Sequence, residues 1–239
     1  MEKSEIAHIV SQGAQTFGVT LPPVAAASFD AYAALLEERG RHVNLTAITG
    51  DDDVARLHFL DSIALLKAAR FASARIIDVG SGAGFPGIPL KIAEPTIDLT
   101  LLDATGKRVA FITELCALLS IDAACIHARA EEAARKPDMR ERYDIAVSRA
   151  VARLNVLCEL CLPFVRVGGD FIAMKGADST DEISEARSAA AALGAELREC
   201  FNYTIPGTDV THRAVIYRKT SPTPGGYPRR FAKIQKTPL

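Results

Sequence analysis

The residues with the clearest chemical potential lie in a glycine-rich turn that follows an apolar segment. Ile76–Val79 leads directly into this turn, which has glycine at positions 80, 82 and 84. Glycine allows a sharp bend and a close ligand approach because it carries no Cβ. The next apolar segment ends in Asp103, 23 residues after Gly80, where a carboxylate can accept hydrogen bonds from ribose hydroxyls. The spacing predicts a cofactor that contains a nucleoside.

The spacing of the glycines also narrows the choice of cofactor. A dinucleotide-binding turn has the pattern G-x-G-x-x-G, but this chain has Phe85 where the third glycine of that pattern would stand. Pro86 lacks a backbone N–H, so the turn is a poor cradle for a pyrophosphate. S-adenosylmethionine contains no phosphate and fits better. The alternative is a glycine turn that only closes a strand–helix corner.

Strands and helices are predicted to alternate around this turn. Strands are expected at Arg75–Val79, Leu99–Asp103, Ala123–His127, Tyr143–Ser148, Asp170–Met174, Cys200–Thr204 and Ala214–Arg218. Helices are expected at Pro89–Ala93, Gly106–Leu119, Arg153–Leu162 and Thr180–Ala192. This alternation predicts an α/β fold with a seven-stranded, mostly parallel sheet and helices on both faces. Only residues 205–213 separate the last two strands, which should therefore form an antiparallel hairpin.

The residues before the first strand are predicted to be helical. Apolar residues at helical spacing indicate helices over residues 3–17, 22–40 and 54–69. His58 and Asp61 share one face of the third helix. We expect this pair to order the helix beside the glycine turn rather than to act as acid and base. The predicted organisation is an N-terminal helical extension over 1–53, a catalytic domain over 54–218 and a C-terminal arm over 219–239.

The composition predicts a globular cytoplasmic protein. With 49% hydrophobic and 24% charged residues, the chain can build a core. It contains no run of ~20 apolar residues for a membrane span, and its charged start does not resemble a signal peptide. Five cysteines form too sparse a set for a disulfide scaffold and indicate a reducing compartment. The C-x-x-C pair Cys158 and Cys161 lies in an apolar helical stretch, which predicts core cysteines; no metal site is predicted.

The net charge of −1 conceals an asymmetry. Residues 218–239 contain six of the 28 basic residues and none of the 29 acidic ones. Several prolines and glycines in this segment predict an irregular arm. A basic arm on an acidic body suits a polyanion such as RNA. A solvated tail is the alternative explanation.

Several segments together resemble one protein family. Asp78–Gly87 (DVGSGAGFPG) resembles the signature of the RsmG family, also called glucose-inhibited division protein B. Other similar segments are Asn44–Thr46, His58–Ser62, Leu101–Arg108, Ala130–Glu132, Val147–Ala150 and Met174–Gly176. The resemblance covers most of the chain. It implies a class I S-adenosylmethionine-dependent methyltransferase (Rossmann-like) fold with an antiparallel last hairpin.

The resemblance also implies an activity and a set of site residues. The implied reaction is methylation of N7 of a guanine in the 530 loop of 16S rRNA, at position 527, with 16S rRNA or the small ribosomal subunit as partner. The implied cofactor residues are Gly80 and Phe85 at the methionine and ribose, Asp103, Ala104 and Thr105 at the adenosine, and Ala130 and Glu131 at the adenine. Arg149 is expected between cofactor and guanine as the catalytic residue. Guanine N7 has a free lone pair and no proton, so alignment can replace a general base.

Basic residues outside these motifs are candidates for RNA contacts. They are Lys107, Arg108, Lys175, Arg229 and Arg230. Lysine and arginine bind phosphates without reading sequence. Tyr227 and Phe231 alternate with the two arginines of the arm and could stack on unpaired bases, although docking on the protein's own surface is equally compatible with the sequence.

Three other functions compete with this interpretation. A small-molecule methyltransferase on the same fold would leave the basic arm without a purpose. A nicotinamide-dependent oxidoreductase is disfavoured by Phe85 in the glycine motif. A non-catalytic ribosome-binding protein with a vestigial pocket would keep the fold but not the cofactor. A monomer is expected, although no residue pattern in the sequence specifies the oligomeric state.

Overall fold

A seven-stranded sheet forms the centre of the protein. The computed structural model describes residues 5–40 and 45–239; the predictions that involve residues 3 and 4 and Asn44 lie outside these ranges. The strands are β1 (Arg75–Val79), β2 (Asp98–Asp103), β3 (Ala123–His127), β4 (Tyr143–Arg149), β5 (Val165–Gly176), β6 (Ala195–Thr204) and β7 (Thr211–Lys219). Their order is β3-β2-β1-β4-β5-β7-β6. Strand β7 runs antiparallel to both of its neighbours, which confirms the predicted hairpin.

The helices of the described ranges cover both faces of this sheet. They are α1 (Glu5–Thr16), α2 (Ala25–Gly40), α3 (Asp51–Val54), α4 (Asp61–Ile63), α5 (Gly87–Ala93), α6 (Gly106–Leu118), α7 (Ala130–Ala133), α8 (Leu154–Cys161), α9 (Thr180–Ala192) and α10 (Phe231–Lys236). Helices α1, α2, α5 and α6 contribute to one apolar cluster, and α8, α9 and α10 to a second. The predicted α/β architecture is confirmed. No helix in the described residues is both long and apolar enough to cross a bilayer.

The predicted third helix differs from a regular α-helix. A π-helical segment, Ala55–Leu60, separates α3 from α4, and a 3₁₀ turn, Ala64–Lys67, follows α4. A π segment changes which backbone carbonyls accept hydrogen bonds, and such segments are frequent at functional sites. Periodicity alone could not reveal this change, because the apolar residues still follow a roughly helical repeat.

Residues 219–239, here called the C-terminal strap, pack against the body of the protein. The ammonium of Lys219 is buried and donates to Glu141 Oε1 at 3.0 Å. Ile234 of α10 is also buried in the second apolar cluster. Arg229 donates to both carboxylate oxygens of Glu159, which is buried in α8. The prediction of an irregular arm is confirmed for residues 220–230, which contain no helix or strand, and is wrong for α10; composition does not show that helix or the buried anchors.

A buried carboxylate fixes the path from β1 into α5. Asp78 Oδ2 accepts a hydrogen bond from the Gly87 N–H at 2.8 Å, and a Cβ at Gly87 would lie 2.8 Å from the same oxygen. Asp78 Oδ1 is buried without a partner. Burial raises the pKa of Asp78 to about 7, although the Gly87 hydrogen bond and Arg149 oppose that rise. The turn is therefore held by an acid whose ionisation opposes folding.

The burial of Asp78 predicts that the free energy of unfolding of the protein depends on pH. Between pH ~4, where an unfolded aspartate titrates, and pH 7, the native state binds more protons than the unfolded one, so the free energy of unfolding falls as pH rises. Asp78→Asn cannot titrate. The free energy of unfolding of Asp78→Asn minus that of the native chain should therefore increase by up to about 4 kcal/mol between pH 4 and pH 8. Urea unfolding at several pH values measures this, and Asp98→Asn, at a largely exposed position, serves as the control. Identical pH profiles for the native chain and Asp78→Asn would contradict the argument.

The strap supplies a second prediction on stability. Arg229→Ala leaves the buried carboxylate of Glu159 without its guanidinium, and removal of one partner of a buried ion pair costs about 3–5 kcal/mol. Arg230 is the exposed neighbour, and Arg230→Ala should change the free energy of unfolding by less than about 0.5 kcal/mol. Urea denaturation of both variants compares the two positions. Equal losses at 229 and 230 would show that the Glu159 contact does not anchor the strap.

Candidate functional site

The glycine turn lies at the carboxyl end of the central strands. Gly80 has a φ of 77°, and a Cβ there would lie 2.5 Å from Cγ2 of Val151. Gly84 has a φ of 98°, and its Cβ would lie 2.7 Å from the hydroxyl oxygen of Tyr32. That hydroxyl donates to the Ala83 carbonyl at 2.6 Å. The turn therefore requires glycine at both positions, and α2 of the N-terminal region supports it directly.

Asp103 connects the glycine turn to the end of β2. Its Oδ2 accepts a hydrogen bond from the Gly82 N–H at 2.9 Å, and its Oδ1 accepts one from the Thr105 N–H at 2.8 Å. A carboxylate has about four acceptor sites, so two remain for hydroxyl groups of a ligand. Asp103 thus holds the loop in place and still has capacity for the ribose contact that the sequence predicts.

Two adjoining cavities lie over these residues. The larger, here called the cofactor cleft, has a volume of about 590 Å³ and is lined by Gly80, Phe85, Asp103, Ala104, Thr105 and Arg149, among others. A smaller pocket of about 110 Å³ shares Gly80, Asp103 and Ala104 with it and adds Ala130, Glu131 and Phe231. All eight residues predicted at the cofactor line one or both cavities.

These cavities suit S-adenosylmethionine. The small pocket has apolar walls that include Val79, Leu102 and Leu160, as a purine ring requires. The cleft beside it offers the acceptors of Asp103 and the buried hydroxyl of Ser81, which has no hydrogen-bond partner. A small apolar pocket next to a polar cleft matches a nucleoside with a polar extension.

Arg149 lies at the edge of the cofactor cleft, at the end of β4. Its side chain is 15% exposed. The guanidinium donates to the Leu57 carbonyl at 3.1 Å, to Asp61 Oδ2 at 3.1 Å and to His58 Nδ1 at 3.0 Å. The guanidinium carbon, Cζ, lies 4.8 Å from the ring centre of Phe85. Arg149 is therefore held by several contacts from the segment that contains the π turn.

The π turn explains why the Leu57 carbonyl can accept a hydrogen bond from Arg149. In a regular α-helix the Asp61 N–H would bond the Leu57 carbonyl. Here that N–H bonds the carbonyls of Arg56 and His58 instead. The Leu57 carbonyl is thereby left for the guanidinium. The irregular helix therefore supplies one acceptor for a mostly buried cation.

His58 is held in its neutral form beside Arg149. Burial, followed by the charge of Arg149, lowers the pKa of His58 to about 3. Its Nδ1 accepts from Arg149, so its Nε2 carries the proton and donates to Thr46 Oγ1 at 2.7 Å. The His58 ring also stacks on Phe85, with ring centres 4.3 Å apart. The predicted role of His58 in ordering this region agrees with these contacts.

Asp61 is the counter-ion of this cluster. Its Oδ1 accepts from the Tyr203 hydroxyl and from His212 Nδ1, both at 2.8 Å. Burial would raise the pKa of Asp61, but the His212 hydrogen bond, the charge of Arg149 and the Tyr203 hydrogen bond together hold it below its usual value. The hydrogen bond to Asp61 raises the pKa of His212. Sequence reasoning missed Tyr203 and His212, because β6 and β7 bring them to Asp61 from about 150 residues away.

A second cavity of about 550 Å³ lies on the other side of Arg149. His58, Arg149 and Ala150 line both this cavity and the cofactor cleft. Ala150 has a φ of 55°, a conformation that is uncommon for a residue other than glycine and is found at functional sites. The remaining wall includes Met174, Lys175, Glu182 and His212. The sequence analysis did not predict this cavity.

The predicted RNA-binding residues occupy different environments. Arg108 lines the cofactor cleft and lies 3.7 Å from Asp103, while Lys107 and Arg230 are exposed. Lys175 is paired with Glu182 in the second cavity, and Arg229 is paired with Glu159. Pairing of the last two removes them from a simple surface track for phosphates. Cys158 and Cys161 are buried in the second apolar cluster, which confirms the prediction of core cysteines.

Comparisons with known proteins agree with this geometry. A family model described as rRNA small subunit methyltransferase G (GidB) matches residues 25–206. A protein of that name from Acetivibrio thermocellus is 43% identical over 97% of this chain and 96% of its own length. Another from Caldanaerobacter subterraneus is 41% identical over 99% of this chain and all of its own length.

Solved structures show the same fold at low sequence identity. The YcgJ protein of Bacillus subtilis matches with a TM-score of 0.52 and 14% identity, covering 69% of this chain and all of that one. TYW2 from M. jannaschii, solved in complex with AdoMet, matches with a TM-score of 0.51 and 14% identity over 66% of this chain and 74% of that one. These solved structures show the fold, and the sequence relatives show the family. The chain has the fold of these solved structures and belongs to the rRNA small subunit methyltransferase G family.

Proposed function

We propose that this protein transfers a methyl group to N7 of a guanine in the 530 loop of 16S rRNA, at position 527. The observation that carries the proposal is the contact of two cavities at Arg149, His58 and Ala150. A donor in one cavity can meet an acceptor base in the other at this shared wall. Family membership supports ribosomal RNA as the source of that base.

The residues of the cofactor cleft divide into three groups by what they can hold. Ala130, Glu131 and the apolar wall around them suit the adenine, and Asp103 suits the ribose hydroxyls. Phe85 lies beside Arg149, and Gly80 lines the same cleft, where the methionine part belongs. S-adenosylmethionine supplies a methyl group that its positive sulfur already activates. The protein therefore needs to orient the two reactants more than to activate them.

The chemistry of guanine N7 fits the groups at the shared wall. N7 has an in-plane lone pair and no proton, so methylation requires no general base. His58 is neutral, but both of its ring nitrogens already have partners in Arg149 and Thr46. Arg149 is fixed by its contacts and cannot accept a proton. These residues can set the position of the reactants, and alignment of this kind can supply much of the rate enhancement.

The remaining cations suit phosphate contacts around the two cavities. Lys107, Arg108 and Arg230 are accessible, as are Lys233 and Lys236 on α10. Such contacts add affinity without base specificity. We propose that the protein acts in the cytoplasm as a monomer on 16S rRNA, either free or within the small subunit. The strap then serves as the basic edge of the RNA site rather than as a loose arm.

A methyl-transfer assay tests this proposal directly. The native protein is incubated with S-adenosylmethionine labelled in its methyl group and with 16S rRNA or isolated small subunits that lack the modification. The expected product is one 7-methylguanosine per rRNA, mapped to the 530 loop. Cofactor binding without incorporation into either RNA would favour a small-molecule methyltransferase. Absence of cofactor binding by calorimetry would favour a ribosome-binding protein.

Replacement of Arg149 tests its position between the reactants. Arg149→Ala removes the group that connects His58, Asp61 and Phe85 at the shared wall, and a misplacement of reactants by about 1 Å costs on the order of 100-fold in rate. We expect kcat to fall by at least that factor. Arg153→Ala is the matched control, since Arg153 forms an exposed pair with Glu185. Single-turnover rates measure both variants, and an unchanged rate for Arg149→Ala would remove this residue from the mechanism.

The basic face of α10 makes a prediction on salt dependence. Each phosphate contact to single-stranded RNA adds about 0.7 to the slope of log K against log salt. The double variant Lys233→Ala/Lys236→Ala should lower this slope and weaken binding at 50 mM salt more than at 200 mM salt. Arg70→Ala/Arg166→Ala, near the beginnings of β1 and β5 at the opposite edge of the sheet, should leave the slope unchanged. Equal slopes for all three proteins would exclude α10 from the RNA interface.

A further inference from the structure

The second cavity constrains how a guanine can enter it, if the proposed function is correct. N7 must face the wall that contains His58, Arg149 and Ala150, because this wall is shared with the cofactor cleft. Around the guanine ring, O6 follows N7, and the N1–H and the 2-amino group come next. These groups therefore meet residues that line this cavity but not the cofactor cleft, among them Lys175, Gly176 and Glu182.

Two carboxylates, Asp61 and Glu182, line this cavity. They differ in how many hydrogen bonds their oxygens already accept. Asp61 uses Oδ1 to accept from Tyr203 and His212, and it uses Oδ2 to accept from Arg149. Its side chain is only 2% exposed. Glu182 is more accessible, with 27% of its side chain exposed, and its recorded contacts with Lys175 and the Leu154 N–H both use Oε2. Glu182 is therefore the carboxylate that can accept hydrogen bonds from a base.

Lys175 is placed beside Glu182 with one donor to spare. Its ammonium lies 2.6 Å from Glu182 Oε2 and donates to the Ala152 carbonyl at 2.8 Å. An ammonium has three donors, so the third is left for a ligand. The lysine is only 12% exposed, and its charge is thus presented within the cavity rather than on the surface. A donor next to an acceptor is the complement of guanine O6 next to N1–H.

We propose that Glu182 and Lys175 select guanine by reading its Watson–Crick edge. Glu182 accepts hydrogen bonds from N1–H and from the 2-amino group, and Lys175 donates to O6. Adenine would place its N1 acceptor against the carboxylate and its 6-amino donor against the ammonium. Both contacts would then be repulsive, so the pair rejects adenine as well as binding guanine. Unpaired polar groups at such a site produce strong discrimination.

Inosine isolates one of these hydrogen bonds, because it is guanosine without the 2-amino group. Two RNA fragments of the 530 loop, with guanosine or inosine at the target position, are methylated under single-turnover conditions. The native protein should transfer to guanosine about 10- to 100-fold faster than to inosine, the range expected for a good base contact. Glu182→Gln should slow transfer to guanosine, and its preference for guanosine over inosine should fall at least about 5-fold relative to the native protein.

The control and the readouts separate this proposal from the others. Glu185→Gln, on the same helix, removes only the exposed pair with Arg153 and should keep the native preference. Affinity for S-adenosylmethionine should be native in both variants, since neither residue lines the cofactor cleft. If transfer by Glu182→Gln is too slow to measure, RNAs with 7-deazaguanosine and 7-deazainosine, which cannot be methylated at position 7, give the same ratio from their dissociation constants.

The possible outcomes are distinct. A native protein that methylates neither RNA, while small-subunit RNA is also unmodified, contradicts the proposed function itself. A native protein that methylates guanosine at N7, together with a Glu182→Gln variant whose preference is unchanged, overturns the role of Glu182 alone. A native protein that does not distinguish guanosine from inosine overturns it as well. A reduced preference in Glu182→Gln and a native preference in Glu185→Gln support it.

Discussion

The burial of the Arg149 guanidinium is the constraint on which both cavities depend. A buried cation is stable only where acceptors surround it, and Arg149 obtains three from one short segment. The π turn contributes to this, because the Asp61 N–H bonds the carbonyls of Arg56 and His58 and leaves the Leu57 carbonyl to the guanidinium. The N-terminal helical region is thus joined to the end of β4 by an interaction that also forms the wall between the two cavities.

This interaction also fixes the charges at the wall. A protonated His58 would place a second cation against Arg149, and burial together with that charge lowers the pKa of His58 to about 3. Asp61 stays ionised because its hydrogen bonds and Arg149 outweigh the effect of burial. Arg149, Asp61 and His58 therefore form a cluster of one cation, one anion and one neutral ring. A methyl transfer to a nitrogen without a proton needs no general base, and His58 is not held ready to accept a proton.

The sequence predicts the lining of the cofactor cleft far better than that of the second cavity. Gly80, Asp103 and Glu131 follow consecutive parallel strands, so their convergence at one sheet edge is a consequence of the topology. His212 comes instead from the hairpin strand β7, and its approach to Asp61 depends on the register of β5 with β7. Periodicity does not encode that register. It also missed the π turn, because a single shifted carbonyl leaves the apolar pattern unchanged.

The C-terminal strap shows why charge counts alone overstate RNA binding. Lys219 and Arg229 are basic in sequence, but Glu141 and Glu159 pair with them in the fold and hold the strap. Arg218 pairs with Asp170 across β5 and β7. Lys233 and Lys236 remain exposed on α10. The same helix begins with Phe231, which lines the small pocket of the cofactor site and lies under the Arg129 guanidinium. A displacement of α10 would therefore change the wall of the small pocket together with the position of these two exposed charges.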